Sequence, residues 1–319
     1  MNDLFTTGAV AFVFSSQGGE WPGMADGLLL DNAAFAKAMA DCDAACRHQF
    51  GWSILEKVSR LGGSDAEPDR VQPVLTAVQI GLAAMLADAG VAPDAVVGLS
   101  MGELAAAWSI GSLSLEDAIA VAGAEAEAIR RPLRSGQMAL VLASAEAVRE
   151  TIDGRDDVWI AVELSPTATV ITGEEGAVDS ALAVVAARGL GTRRQTLRYA
   201  FHCAEMEPLR EPFRAAASSI RPRSAPAPFY SSLKGAAIDG SRLTIDYWWR
   251  VMSEPALFVS AVRSMARAGI RTFVEVGPHP ILSTAVTEAA GGAAVLPTMS
   301  AHDDSSSVLE AIERIAYKA

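Results

Sequence analysis

The stretch Val96-Val97-Gly98-Leu99-Ser100-Met101-Gly102-Glu103 constrains this chain more than any other. An apolar run, residues 95–97, reads as a short buried strand, and a helical pattern opens at Glu103 and continues through residues 104–108. Between them sits Gly-x-Ser-x-Gly, the pattern of a sharp strand-to-helix turn that pushes a serine hydroxyl out of the chain. Glycine is needed on both sides because side chains there would collide with the strand and the helix. The helix that follows points its free N–H groups at the turn, which suits a developing oxyanion. A structural turn serine is the plainer reading of the pentapeptide alone. The strand–turn–helix setting favours a nucleophilic Ser100.

Half of the 319 residues are hydrophobic, enough for one large domain or two unequal ones. A net charge of −12 argues against nucleic acid and anionic membranes as partners. Residues 1–7 lack the basic region and apolar run of a signal peptide, and the longest apolar runs fall short of a membrane span. Three cysteines, Cys42, Cys46 and Cys203, make no disulfide framework. Cys42, Cys46 and nearby His48 are too few to hold a metal, so no metal is expected. A soluble cytoplasmic protein is the expectation.

In chain order, residues 9–14 read as a strand ending in a glycine pair, Gly18-Gly19, without the spacing of a dinucleotide site. Residues 31–60 are helical in pattern, and a helix over 74–89 opens with Pro73 in its first turn. Ser114 and Asp117 mark the start of a helix running to residue 129. From Met138 the texture changes. Strand-like runs at 138–142, 158–162, 168–173 and 192–197 alternate with helical runs at 145–152 and 178–188. That βαββαβ order predicts an inserted ferredoxin-like unit. Strand-like 229–232, helical 247–249 and 256–268, a strand and turn over 272–278 and an amphipathic helix over 305–317 follow. The fold class is α/β, an α/β-hydrolase-like part with a mostly parallel sheet over residues 1–132 and 199–319 and a small ferredoxin-like part over 133–198.

A serine hydroxyl needs a base. Four histidines are available: His48 in a charged helical segment, His202 between small and aromatic residues, His279 after Gly277-Pro278, and His302 before two aspartates. From the residues alone His202 leads and His279 stays open.

Several blocks then fall in one order. Residues 12–24 resemble an opening "F-x-G-Q-G-x-Q-W-x-G-M"; Val71-Gln72-Pro73 matches "x-Q-P"; residues 98–103 match "G-H-S-x-G-E". Tyr199-Ala200-Phe201-His202, Tyr247-Trp248-Trp249-Arg250 and residues 273–282 match the remaining blocks. The chain resembles the malonyl-CoA:acyl-carrier-protein transacylase and polyketide-synthase acyltransferase family over nearly its whole length.

The resemblance implies a Ser100–His202 dyad, an oxyanion hole from the N–H groups of Gln17 and Met101, and a backbone carbonyl at Val251 that orients the histidine. It implies ping-pong transfer in which an acyl thioester of a carrier protein or coenzyme A loads the serine and a carrier phosphopantetheine thiol takes the acyl group. No bound cofactor is implied. Gln72, Leu99, Leu164, Tyr199 and Phe201 fall at substrate-contact positions. The family's carboxylate-binding arginine falls at Glu125, and Leu99 and Leu164 replace polar residues. A glutamate there would repel a malonyl carboxylate, which predicts an acyl group without a free carboxylate. An aminoacyl or dipeptidyl group, as moved by discrete acyltransferases of macrolactam pathways, fits that expectation. The alternatives are an editing hydrolase of acyl-carrier proteins, an ordinary malonyl-type transferase, a non-catalytic binding module and an unrelated α/β hydrolase. Acyl carrier proteins are the expected partners of a monomer, with Arg193, Arg194 and Arg198 on one side of the insertion and Arg130, Arg131 and Arg134 on the other as docking charges.

Overall fold

The structure is a computed structural model that describes residues 8–63, 67–130, 135–195, 198–217 and 219–301. His302, the 305–317 helix, Leu197, Arg131 and Arg134 lie outside the described residues.

Strand β1 (Val10–Phe14) and β2 (Ala95–Gly98) are apolar and buried on both faces, as a parallel sheet covered by helices demands. They lie at the centre of a six-stranded sheet with β7 (Phe229–Ser231), β8 (Ala236–Ile238), β9 (Thr272–Val276) and β10 (Ala294–Pro297), in the order β10-β9-β1-β2-β7-β8. Every neighbouring pair is parallel except β7 with β8. Phe14 is in register with both Gly98 and Val276, so β1, β2 and β9 end side by side at one edge. In open parallel sheets that carboxyl edge is where sites form.

Helices α1 (Asp26–Asp31), α2 (Ala33–Phe50), α3 (Leu55–Val58), α4 (Val71–Asp88), α5 (Gly102–Ser109) and α6 (Leu115–Ile129) lie between or after the first strands. Ser114 caps α6 as expected, accepting from Asp117 N at 3.0 Å. Helix α4 corrects one expectation. By length and composition it is apolar enough to cross a membrane, yet 83% of it is buried inside the protein, packed on α2, α5 and α6. A helix apolar all round is what a core position selects.

The stretch 136–194 forms a second sheet of four antiparallel strands: β3 (Gly136–Val141), β4 (Val158–Ser165), β5 (Ala168–Glu174) and β6 (Thr192–Arg194), in the order β4-β5-β3-β6. With α7 (Ala145–Thr151) and α8 (Glu175–Ala187) this is the ferredoxin-like βαββαβ arrangement. It has its own core of Ala139, Val141, Val148, Ile160, Ile171 and Val185. A bulge in β4, where Ile160 and Val162 face consecutive residues of β5, changes which face the strand buries. Val158 and Ile160 point into the small core, whereas Val162 and Leu164 pack on the large one.

The remaining helices are α9 (Arg210–Ala216), α10 (Ile245–Ser253), α11 (Phe258–Arg267) and α12 (Ser283–Ala289).

Candidate active site

Ser100 sits in the turn between β2 and α5 with φ of 54°, and His202 has φ of 63°. Among the described residues these are the two non-glycine positions with positive φ. Such backbone costs about 1–3 kcal/mol per residue and persists only where the surroundings impose it. The imposition at Ser100 is visible in its glycines. A Cβ on Gly98 would lie 2.2 Å from Glu103 N, and one on Gly102 2.4 Å from Phe14 O. The turn is therefore pressed onto the ends of β1 and α5, and the serine is pushed out of it.

Ser100 Oγ lies 3.1 Å from His202 Nε2. His202 is 4% exposed, and burial pushes its pKa down to about 4 against the lifting effect of carbonyl contacts from Glu254 and Val251. The ring is neutral at pH 7, and its Nε2 lone pair can take the serine proton. The other ring nitrogen, Nδ1, lies 3.0 Å from the carbonyl of Glu254, which fixes the tautomer. The expected orienting carbonyl, Val251, is one of two carbonyls at the ring. Val251 contributes a lesser carbonyl contact, and the hydrogen bond itself goes to Glu254. The reason lies at the end of α10. The last carbonyls of a helix have no intrahelical partner, and His202 uses two of them and one just beyond: its own N–H donates to Met252 O at 2.9 Å while its ring meets the carbonyls of Val251 and of Glu254, the residue after the helix.

The backbone N–H groups of Gln17 and Met101 have no hydrogen-bond partner among the described residues. Gly102 N and Glu103 N, next along the chain, already donate to Leu99 O and Ser100 O. Gln17, in the loop after β1, shares the cavity wall with Ser100, and Met101 follows Ser100 at the start of α5. Glu103 is fully buried with its pKa raised to about 7 by burial. It accepts from Ser232 N and from the Tyr247 hydroxyl, so it ties the nucleophile helix to α10, which carries the histidine's carbonyl contacts.

A cavity of about 410 Å³ opens on Ser100 and His202. Of the residues expected to meet substrate, Gln72, Leu99, Leu164 and Phe201 line it, as does Gln17. Tyr199 stands behind Phe201, with ring centroids 5.7 Å apart, and does not line the cavity. Glu125 does not line it either. It is 3% exposed in the C-terminal half of α6, and burial alone raises its pKa to about 8, so it is mostly uncharged at pH 7. The expected charge repulsion from Glu125 therefore does not arise. Arg193 and Arg194, expected to dock a carrier, are part of the cavity wall on the exposed strand β6, Arg194 paired with Asp179. Arg198 is outside the wall, 76% exposed, and 3.8 Å from Glu175. Arg130 lies 3.4 Å from Asp69 and 3.2 Å from Glu127, with its side chain half exposed.

Sequence reasoning missed Met138, Leu140, Val162, Val170, Ile281 and Leu282 on the wall. Period-two alternation could have found Met138 and Leu140, because Ala139 and Val141 between them fill the small core. His279, the other open candidate, accepts from Ala301 N at 3.2 Å and does not line the cavity. His48 is exposed on α2.

Comparison with known proteins places residues 11–317 in the family described as acyl transferase domain. The chain is 38% identical over 284 residues to "Mycoketide-CoA synthase" of Mycobacterium tuberculosis, covering 88% of this chain and 7% of that protein. It is 39% identical over 284 residues to "Spectinabilin polyketide synthase system protein NorA" of Streptomyces orinoci, covering 88% of this chain and 15% of that one. The chain thus spans a small fraction of the curated relatives it matches. Among solved structures, the acyltransferase domain from module 8 of the salinomycin polyketide synthase superposes with a TM-score of 0.91 at 34% identity, over 98% of this chain and 76% of that one. A loading acyltransferase from the avermectin modular polyketide synthase gives 0.89 at 33% identity, over 96% and 99%.

Proposed function

The chain belongs to the acyl transferase domain family, and on that premise we propose that it moves an acyl group without a free carboxylate from a thioester to the phosphopantetheine thiol of an acyl carrier protein in polyketide assembly. In the first half-reaction His202 Nε2 takes the Ser100 proton as Oγ attacks the thioester carbonyl. The oxyanion is held by the N–H groups of Gln17 and Met101. Collapse breaks the C–S bond, and the imidazolium returns the proton to the departing thiolate. The carrier thiol repeats the sequence in reverse on the Ser100 ester.

The observation that carries the substrate class is the wall beside the dyad. Leu99, Met138, Leu140, Val162, Leu164, Val170 and Phe201 surround the acyl site. The cations among the described lining residues, Arg193 and Arg194, sit on exposed β6. A carboxylate carried into the apolar part would be desolvated without a partner, which is costly. Glu125, where the resemblance expects an arginine, supplies no cation. An amino-bearing acyl group remains compatible with this reading when its amine points towards the polar rim of Ser16, Gln17 and Glu20. Carrier docking is assigned to the β6 side, where the Arg198 side chain is 76% exposed.

The experiment is a panel of acyl thioesters, on coenzyme A and on carrier protein, with an acceptor carrier present or absent. Loading by neutral or aminoacyl groups and weak loading by malonyl are expected, with acyl transfer only when the acceptor is present. Efficient malonyl loading would overturn the substrate class, and release of free acid without acceptor would assign a hydrolase instead.

A further inference from the structure

The carbonyl that orients His202 belongs to Glu254, the first residue past the end of α10, where the chain has turned extended with φ of −113° and ψ of 157°. The carbonyl of a residue just beyond a helix has no partner within the helix, so other contacts must hold its direction. Glu254 N–H bonds Arg250 O at 2.8 Å. Its side chain is gripped as well: Arg250 Nε lies 2.5 Å from Oε1 and Nη2 2.8 Å from Oε2. That is a two-point fork, which fixes direction as well as distance. Both side chains are 42% exposed, and exposed pairs of this kind add little to stability. The pair is placed where orientation matters more than stability.

The next residues are held by different parts of the molecule. Ala256 N donates to Ala161 O at 2.8 Å, Glu163 N donates to Ala256 O at 2.8 Å, and Leu257 N donates to Ser232 O at 2.6 Å. Residues 256 and 257 are thus tied to β4 and to the chain after β7, and residue 254 is tied back to α10. A second cavity, of about 440 Å³, has Arg250, Glu254 and His202 on its wall and does not include Ser100.

We propose that the Arg250–Glu254 pair is a positioning device for acyl transfer: by fixing the backbone of residue 254 it aims the Glu254 carbonyl at His202 Nδ1 and keeps Nε2 on Ser100. The inference rests on the reading of His202 as the base. Neither side chain touches substrate or the reacting atoms. Their effect passes through the carbonyl, and small misplacements of a catalytic group are known to cost up to about a hundredfold in rate.

The test measures single-turnover acylation of Ser100 by a small neutral acyl thioester in four variants of the whole chain: Arg250→Ala, Glu254→Ala, Arg250→Lys and the exchanged pair Arg250→Glu with Glu254→Arg. Each alanine variant is expected to lose roughly tenfold to a hundredfold in kcat with KM and Tm little changed. Lysine, which keeps the charge but not the fork, should recover part of the loss, and the exchanged pair most of it. The ring nitrogens of His202, followed by nitrogen NMR, should report the Nδ1–H tautomer in the parent and a mixture in Arg250→Ala. That readout stands even where a variant acylates too slowly to measure. Alanine variants that load as fast as the parent with an unchanged tautomer would overturn the proposal, and so would losses that track a fall in Tm and are not recovered by exchange. A parent that loads no thioester at all would instead count against the acyltransferase reading.

Discussion

The two walls of the active-site cavity are built on opposite principles. The wall from the large sheet holds Ser100 and His202 on strained backbone, with buried polar groups tied to one another: Glu103 to Tyr247 and Ser232, and His202 to the end of α10. The wall from the small sheet holds Met138, Leu140, Val162, Leu164 and Val170, which contribute shape, with Arg193 and Arg194 of exposed β6 at its edge. The difference teaches where change is tolerated. A small shift on the first wall moves a reacting atom, whereas a new side chain on the second changes what fits.

The largest expected effect breaks the first wall at its base. His202→Ala should slow single-turnover acylation of Ser100 by roughly a thousandfold, the scale of a lost general base. In the parent, burial holds His202 near pKa 4. The reactive neutral form is then lost only as pH falls through about 4, so kcat/KM should be flat across the range where an ordinary histidine titrates. An acid limb near pH 6.5 would contradict that burial.

Next in size is a stability effect between the walls and the core. Glu125 titrates near 8 in the folded chain against 4.5 when unperturbed. Between those values the native state holds a proton that the unfolded state gives up, so stability falls as pH rises through that window. Glu125→Gln removes this dependence. It should gain on the order of 3 kcal/mol relative to the parent between pH 5 and pH 8, read from denaturant unfolding at each pH. Buried Glu103, near 7, slopes in the same direction, so the contrast with the variant is the quantity that isolates Glu125.

A methyl group in the elbow should cost less. In Gly102→Ala the new Cβ meets Phe14 O at 2.4 Å, and relief of that overlap should destabilise the chain by about 1–3 kcal/mol while also slowing acylation. Smallest in rate but sharpest in meaning is Leu140→Ala on the second wall. It should leave the acylation rate for a short acyl thioester within a few-fold of the parent and shift the preference towards longer acyl chains by about tenfold, the scale of a pocket's response to methylene groups. Equal losses for every chain length would mean that the two walls are not separable.

The contrast also explains what the sequence revealed. The elbow was legible because the close approach of β1, β2 and α5 leaves no room for any residue but glycine at positions 98 and 102, and that demand is written locally. The βαββαβ order of the small unit was legible from alternation and spacing. Glu254 was not, because its role belongs to a backbone carbonyl, and every residue has one. Nor was the wall of β4: strict alternation would put residues 158, 160, 162 and 164 on one face, and the bulge between Ile160 and Val162 sends the last two to the cavity. Glu125 was misread for a related reason. Its position along the chain is that of a substrate contact, but nothing in the sequence tells whether the carboxyl reaches the cavity or what burial does to its charge.

The central claim is a covalent ester on Ser100 that forms readily from a neutral acyl group. Intact-mass spectrometry of the parent and of Ser100→Ala, after brief exposure to matched butyryl and malonyl thioesters, tests it directly. The account predicts a butyryl adduct on the parent, little malonyl adduct, and neither on Ser100→Ala. An adduct that persists on Ser100→Ala, or malonyl loading equal to butyryl, would contradict it.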